Sequence, residues 1–81
     1  TRAAELSPAN FKVHYNRGKN HLLCGRTEQA VADFDKAVSL KPEHAKAHEL
    51  FGDALSRCGK EEEAAIHWSI AETLREKRKG R

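Results

Sequence analysis

The sequence predicts an all-α fold of antiparallel helix-turn-helix units stacked as a solenoid, and three observations predict it. Segments 11–44 and 45–78 are each 34 residues long. Laid one over the other, they share identities at Lys12/Lys46, His14/His48, Gly18/Gly52, Cys24/Cys58, Gly25/Gly59, Glu28/Glu62, Ala30/Ala64, Ala37/Ala71 and Leu40/Leu74. A fixed period of this length marks helix pairs in which each unit buries its apolar face against a neighbour. Second, Pro8 and Pro42 lie one period apart, and proline removes a backbone donor and turns the preceding residue out of the helical region, which sets unit boundaries. Third, Gly25 and Gly59 punctuate the middle of each unit, where a residue free to adopt a left-handed conformation ends a helix.

Taken in order, the elements follow from that frame. Ala3, Leu6 and Pro8 correspond to Ala37, Leu40 and Pro42, so residues 1–8 read as the end of a helix from a preceding unit. The first full unit, 11–44, is expected to hold helices at 11–24 and 27–40, with Thr27 opening the second. The second unit, 45–78, should hold helices at 45–58 and 61–78. Loops this short make paired helices antiparallel neighbours. Residues 79–81 are a basic tail.

Composition bounds what the chain can be. At 81 residues there is room for one small domain, which buries roughly 60% of the surface its unfolded chain exposes. Charged residues make up 33% and the mean hydropathy is −0.79, yet the apolar residues recur with helical period, which predicts a folded helical domain and not a disordered chain. No apolar run approaches the ~20 residues of a membrane span, and no signal peptide is visible. The chain contains no Met, even at position 1, and this predicts an upstream segment that has been removed. The net charge of +3 is concentrated at the end: Arg75, Lys77, Arg78, Lys79 and Arg81 stand against Glu76 alone, so the rest of the chain is slightly acidic. Cys24 and Cys58 occupy equivalent places one unit apart, on the order of 10 Å for stacked helices, beyond the ~7 Å reach of a disulfide. Two free thiols are expected, which fits a reducing compartment and favours the cytoplasm.

The period and these residues resemble the tetratricopeptide repeat, whose pattern runs from a bulky residue through Leu-Gly and an aromatic to Ala, an aromatic, Ala and Pro. The second unit matches with Phe51, Gly52, Leu55, Ala64, Trp68 and Ala71, and the first with Gly18, Ala30, Phe34, Ala37 and Pro42. Gly52 and Ala64 are small where two helices cross closely, and Trp68 is expected to fill the space between them. The first helix departs from the pattern, carrying His14, Arg17 and His21 where bulky apolar groups are usual. Arg17 is expected either to pair with a carboxylate such as Glu5 or to lie exposed. The resemblance implies a right-handed α-solenoid over residues 1–78 that binds another protein or peptide in a concave groove lined by the first helix of each unit.

Counting in steps of three and four, that groove face would present Lys12, Tyr15, Asn16, Lys19 and Leu22 in the first unit, and Lys46, Glu49, Leu50, Asp53 and Arg57 in the second. The mixed signs predict a polar groove without strong preference for an acidic ligand, and the same residues also suit an ordinary solvated helix face. Some members of the family grip acidic chain ends with two asparagines, two lysines and an arginine. Asn16 and Lys46 match two of those places, but Leu50 sits where the arginine belongs, and it also breaks a ladder of asparagines.

Other chemistries find less support. His14, Arg17 and His21 share a helical stripe that Cys24 continues, but no close Cys or His pair has zinc spacing, so no metal or other cofactor is expected. Each thiol lies at a helix C-terminus, where the dipole disfavours a thiolate. No phosphate loop or nucleophile elbow is present, so no enzyme and no small-molecule substrate is predicted. The basic tail complements a helix dipole, and no aromatic residue follows Trp68 to support nucleic-acid binding; a membrane surface is equally disfavoured. Ile66, Ile70 and Leu74, spaced by four, exceed what one unit can cover, which leaves self-association as the alternative to a foreign partner.

Overall fold

The computed structural model describes residues 8–79, which form four helices: α1 Pro8–Leu23, α2 Thr27–Leu40, α3 Ala45–Arg57 and α4 Glu61–Lys79. The expected remnant of a preceding helix, with Glu5, and the end of the basic tail lie outside the described residues. Three of the four helices begin within a residue of their expected starts. The first begins at Pro8, one turn ahead of the expected residue 11. Proline is tolerated in a first helical turn, where its missing N–H has no intrahelical acceptor to lose, whereas its counterpart Pro42 stands in the turn between α2 and α3.

The two intra-unit turns are the same device used twice. Gly25 and Gly59 have φ of 83° and 85°. Around the first, Arg26 N–H donates to the His21 carbonyl at 2.8 Å and Gly25 N–H to Leu22 at 3.2 Å. Around the second, Lys60 donates to Leu55 at 2.9 Å and Gly59 to Ser56 at 3.0 Å. These paired bonds are the Schellman arrangement that satisfies the last carbonyls of a helix. The turn between units is built differently: His44 precedes α3, and its Nδ1 accepts the Ala47 N–H at 3.1 Å. A histidine thereby fills the role usually given to Ser, Asp or Asn at a helix start.

α1 packs on α2 and α3 on α4, while α2 also packs on α3 and so joins the pairs; α1 and α3 meet lightly. The described residues form a plate of 37 × 36 × 17 Å. Its core is Phe11, Ala30, Phe34, Ala37, Val38, Ala47, Phe51, Ala54, Leu55 and Ala64, with Tyr15, Leu22, Val31, Leu40 and Leu50 against it. Close helix crossing depends on Gly18 and Gly52. A Cβ at residue 18 would stand 2.9 Å from Phe34, and one at residue 52 would stand 2.5 Å from the Trp68 indole nitrogen and 3.0 Å from the Ala64 carbonyl. Phe34 is fully buried, but its counterpart Trp68 keeps 39% of its surface exposed. The expectation that Trp68 would fill the inter-helix space is therefore corrected: the indole lies over Gly52 at the margin of the pair, with its N–H turned to polar acceptors.

Candidate functional site

The predicted groove residues fall on neighbouring helices, α1 and α3, and the structure brings most of them together. Tyr15 is half-buried between the two units. Its ring stacks on Phe11 at 5.2 Å, meets Phe34 edge-on at 6.3 Å and tilts against His44 at 5.3 Å. Lys19 Nζ lies 5.2 Å from the centre of the same ring, within range of a cation–π attraction. Burial pushes the Tyr15 phenol up, and the negative charge of Glu49 pushes it further. That electrostatic link joins α1 to α3.

Glu49 is itself engaged. It forms an ion pair with Arg75 of α4 and lies 3.9 Å from Lys46. The Arg75 hydrogen bond holds its carboxyl below the ordinary range against a smaller opposing effect of burial. Asp53 accepts the Trp68 indole N–H at 3.2 Å, and the same N–H lies 3.2 Å from the Glu49 carbonyl oxygen. Both carboxylates of the predicted groove are thus tied to α4. Lys12 and Asn16 are exposed and, among the described residues, make no ion pair or hydrogen bond. Leu50 and Leu22 lean on the core. Arg57 is not brought to this face: it lines a separate cleft with Gly25, Arg26, Thr27 and Cys58.

A second constellation lies between α1 and α2 of the first unit. Arg17 forks onto Asp33, with Nε 3.1 Å from Oδ2 and Nη2 3.0 Å from Oδ1. His14 Nδ1 lies 3.3 Å from Oδ1 and His21 Nε2 3.5 Å from Oδ2. The Arg17 hydrogen bond is the main cause of a lowered Asp33 carboxyl, and His14 adds to it against the effect of burial. Arg17, expected to pair with a carboxylate such as Glu5 or to lie exposed, is half in water and pairs with the Asp33 carboxylate, while Glu5 lies outside the described residues. The unusual stripe of α1 is polar because its partner stripe carries a buried carboxylate. That carboxylate was legible: Ala30, Asp33, Phe34 and Ala37 share one helical face, so Asp33 had to point where the apolar residues do. Among the described residues, no group of three histidine, cysteine or acidic side chains is placed to hold a metal ion.

The second unit puts histidines at both equivalent places. His48, one period after His14, and His67, one period after Asp33, approach with their Nδ1 atoms 3.0 Å apart, and His48 Nε2 lies 2.8 Å from the Pro42 carbonyl. Burial, and next the neighbouring His48, lower the His67 pKa, while Glu63 and Asp35 oppose the shift. Both cysteines are free thiols, and none of the described helices is long and apolar enough to cross a membrane.

These paired helices, with small residues at their crossings and repeated Schellman turns, agree with the match of the tetratricopeptide repeat family model to residues 11–44. Residues 11–44 are thus a tetratricopeptide repeat, and the four helices have the tetratricopeptide-type fold. The chain superposes on the solved structure MamA MSR-1 C2 with a TM-score of 0.79 and 32% identity, over 93% of this chain and 43% of that one. Over 39 residues it is 44% identical to the mitochondrial import receptor subunit TOM70 of Homo sapiens, and the same identity holds for TOM70 of Rattus norvegicus. The match covers 48% of this chain but only 6% of TOM70, so the chain spans a small part of that relative's length. Repeats of this family generally mediate protein–protein interactions.

Proposed function

We propose that the face formed by α1 and α3 holds a peptide segment of another protein, and that the segment carries acidic side chains. The observation behind this reading is the disposition of charge. Glu49 is paired with Arg75, and Asp53 accepts from Trp68, so the acidic members of the face are engaged within the frame. Lys12, Lys19 and Lys46 are exposed, and Asn16 offers both a donor and an acceptor beside them. A mixture of signs in the sequence thereby becomes a face with positive charge to spare, Glu49 being shared between Arg75 and Lys46 and leaving Lys12 and Lys19 without a carboxylate among the described residues. Such a face attracts carboxylates over a Debye length of about 8–10 Å and aligns them by charge-assisted hydrogen bonds. Tyr15 supplies a half-buried aromatic surface at the centre. The likeness to an import receptor subunit supports a binding role.

Reversing charge tests the reading directly. Lys12→Glu combined with Lys46→Glu should weaken binding of acidic peptides, selected from a peptide array, by at least about tenfold, while helicity by circular dichroism stays unchanged. The wild-type affinity should also fall as salt rises. Affinity that ignores both the substitutions and the salt would remove the groove reading.

A second reading, association of the chain with copies of itself, is supported by apolar residues left in solvent: Leu23 is 85% exposed and Ile66 57%.

A further inference from the structure

We propose that His48 and His67 form an acid-sensitive latch that closes α3 on α4 and on the turn between the units while the pair is neutral or singly protonated, and opens when both rings are charged. The geometry fixes the proton count. His48 Nε2 lies 2.8 Å from the Pro42 carbonyl oxygen, which can only accept, so this nitrogen carries the hydrogen. In the neutral ring His48 Nδ1 is then a bare acceptor. It faces His67 Nδ1 at 3.0 Å, so His67 supplies the hydrogen of that bond. Each ring thus has a defined tautomer, and the chain Pro42–His48–His67 ties the inter-unit turn to α3 and α3 to α4.

A first proton is accommodated at His67 Nε2, because His67 Nδ1–H goes on donating to His48. A second proton has only His48 Nδ1 to occupy. There it would confront the N–H of His67 across the same 3.0 Å, with two cationic rings stacked at 5.3 Å between centroids. The rings must separate. The surroundings do little to offset this. Phe51 of α3 presses on His67 at 4.4 Å. The cleft of about 430 Å³ beside His67 presents Asp35 from α2, Glu63 from α4 and the opposing cation Lys60. His48 is 6% exposed, so water cannot replace the lost bond while the helices stay packed. The depressed His67 value points the same way. A group whose folded value is lowered has its stabilisation whole above the unfolded value and loses it as pH falls through the folded one.

The first unit supplies an internal contrast. Its equivalent pair is His14 and Asp33, where a proton on the imidazole strengthens the contact. One repeat frame therefore carries two opposite responses to acid, and the second unit is the one expected to open. Because α3 bears Lys46 and Glu49, opening would disturb the α1–α3 face.

The test is a pair of measurements on the chain. Histidine ring resonances followed by NMR should show the His48–His67 pair taking up its two protons in separate, coupled steps, the second at clearly lower pH than the first. Urea unfolding of wild type and His67→Gln should be compared at pH values from 8 to 4, a range of about four units chosen to span the histidine titration. The glutamine amide keeps a donor for His48 but takes no proton. Wild type should lose stability relative to His67→Gln by up to about tenfold in the unfolding constant per pH unit below the histidine range. The other histidines are common to both proteins, and their contribution cancels in the comparison. Two rings that titrate independently, or a pH profile unaltered by His67→Gln, would overturn the proposal. The NMR result stands even where the variant folds poorly.

Discussion

At the scale of single residues, Asp33 is the side chain on which the first unit turns. Three basic groups from α1 converge on one nearly buried carboxylate, and removing its charge leaves them facing one another. Asp33→Asn keeps the shape and deletes the anion. Because Arg17 remains half in water, screening holds the loss near the low end for a charged hydrogen bond, about 1–2 kcal/mol at neutral pH. The pH dependence gives a second check. The folded carboxyl titrates below its ordinary range, so the unfolded chain takes up the proton first as pH falls. The stabilisation is whole above the ordinary carboxylate range and is lost on descent through it to the folded value. Chemical unfolding should therefore show wild type and Asp33→Asn far apart at neutral pH and converging in acid. A gap that stays constant with pH would mean that shape, and not charge, is what Asp33 contributes. Residue types alone concealed this cluster, because the partners of Asp33 lie 12 to 19 positions away in the chain and a one-helix pattern does not say which stripe faces which.

At the scale of elements, the sequence was most informative where backbone geometry decides and least where side chains choose partners. The ends of α1 and α3 followed from Gly25 and Gly59, whose positive φ no ordinary residue adopts cheaply. The start of α1 at Pro8 was legible only with the knowledge that a first helical turn admits proline, and the histidine cap on α3 departs from the usual capping residues. Trp68 was recognised as an inter-helix residue, but its partial exposure comes from indole N–H bonds to the rim of α3, which periodicity does not encode. The two kinds of glycine separate cleanly under substitution. Gly59→Ala meets open space and should cost only the left-handed strain, about 1–2 kcal/mol. Gly52→Ala gains about 1 kcal/mol of helix propensity but drives a methyl into the indole and against the Ala64 carbonyl, which belongs to backbone and cannot swing aside. Overpacking of this kind costs about 1–3 kcal/mol, and it must displace Trp68. Tryptophan fluorescence should therefore shift to the red in Gly52→Ala and stay unchanged in Gly59→Ala. An unshifted Gly52→Ala spectrum would show that the helices, and not the indole, have moved.

At the scale of the whole molecule, the 34-residue period carried the architecture because each unit must bury its face on a neighbour, and the same period placed the candidate face on α1 and α3. The charge of that face was not legible. Lys46 and Arg57 read as balancing Glu49 and Asp53 until Arg75 and Trp68 arrive from α4, at separations only the antiparallel packing creates. Two helix pairs also form a small core, and three or more units are commonly needed to make such arrays stable. Ile66 remains 57% exposed, while Ile70 and Leu74 are half-buried on the same helix. Burying a residue such as Ile66 is worth about 1.5–3 kcal/mol, too little alone to overcome the several kcal/mol lost on association. The chain should therefore sediment as a monomer at micromolar concentration, with copies pairing only weakly as concentration rises. Sedimentation equilibrium across a hundredfold range of concentration, about 2.7 kcal/mol in mass action, separates the two readings. A monomer throughout leaves the α1–α3 face free for a foreign peptide. A dimer that persists at the lowest concentration would place a second copy where that peptide is proposed to bind or against α4, and Ile66→Asp, which should dissolve an α4 contact and leave an α1–α3 contact intact, decides between them.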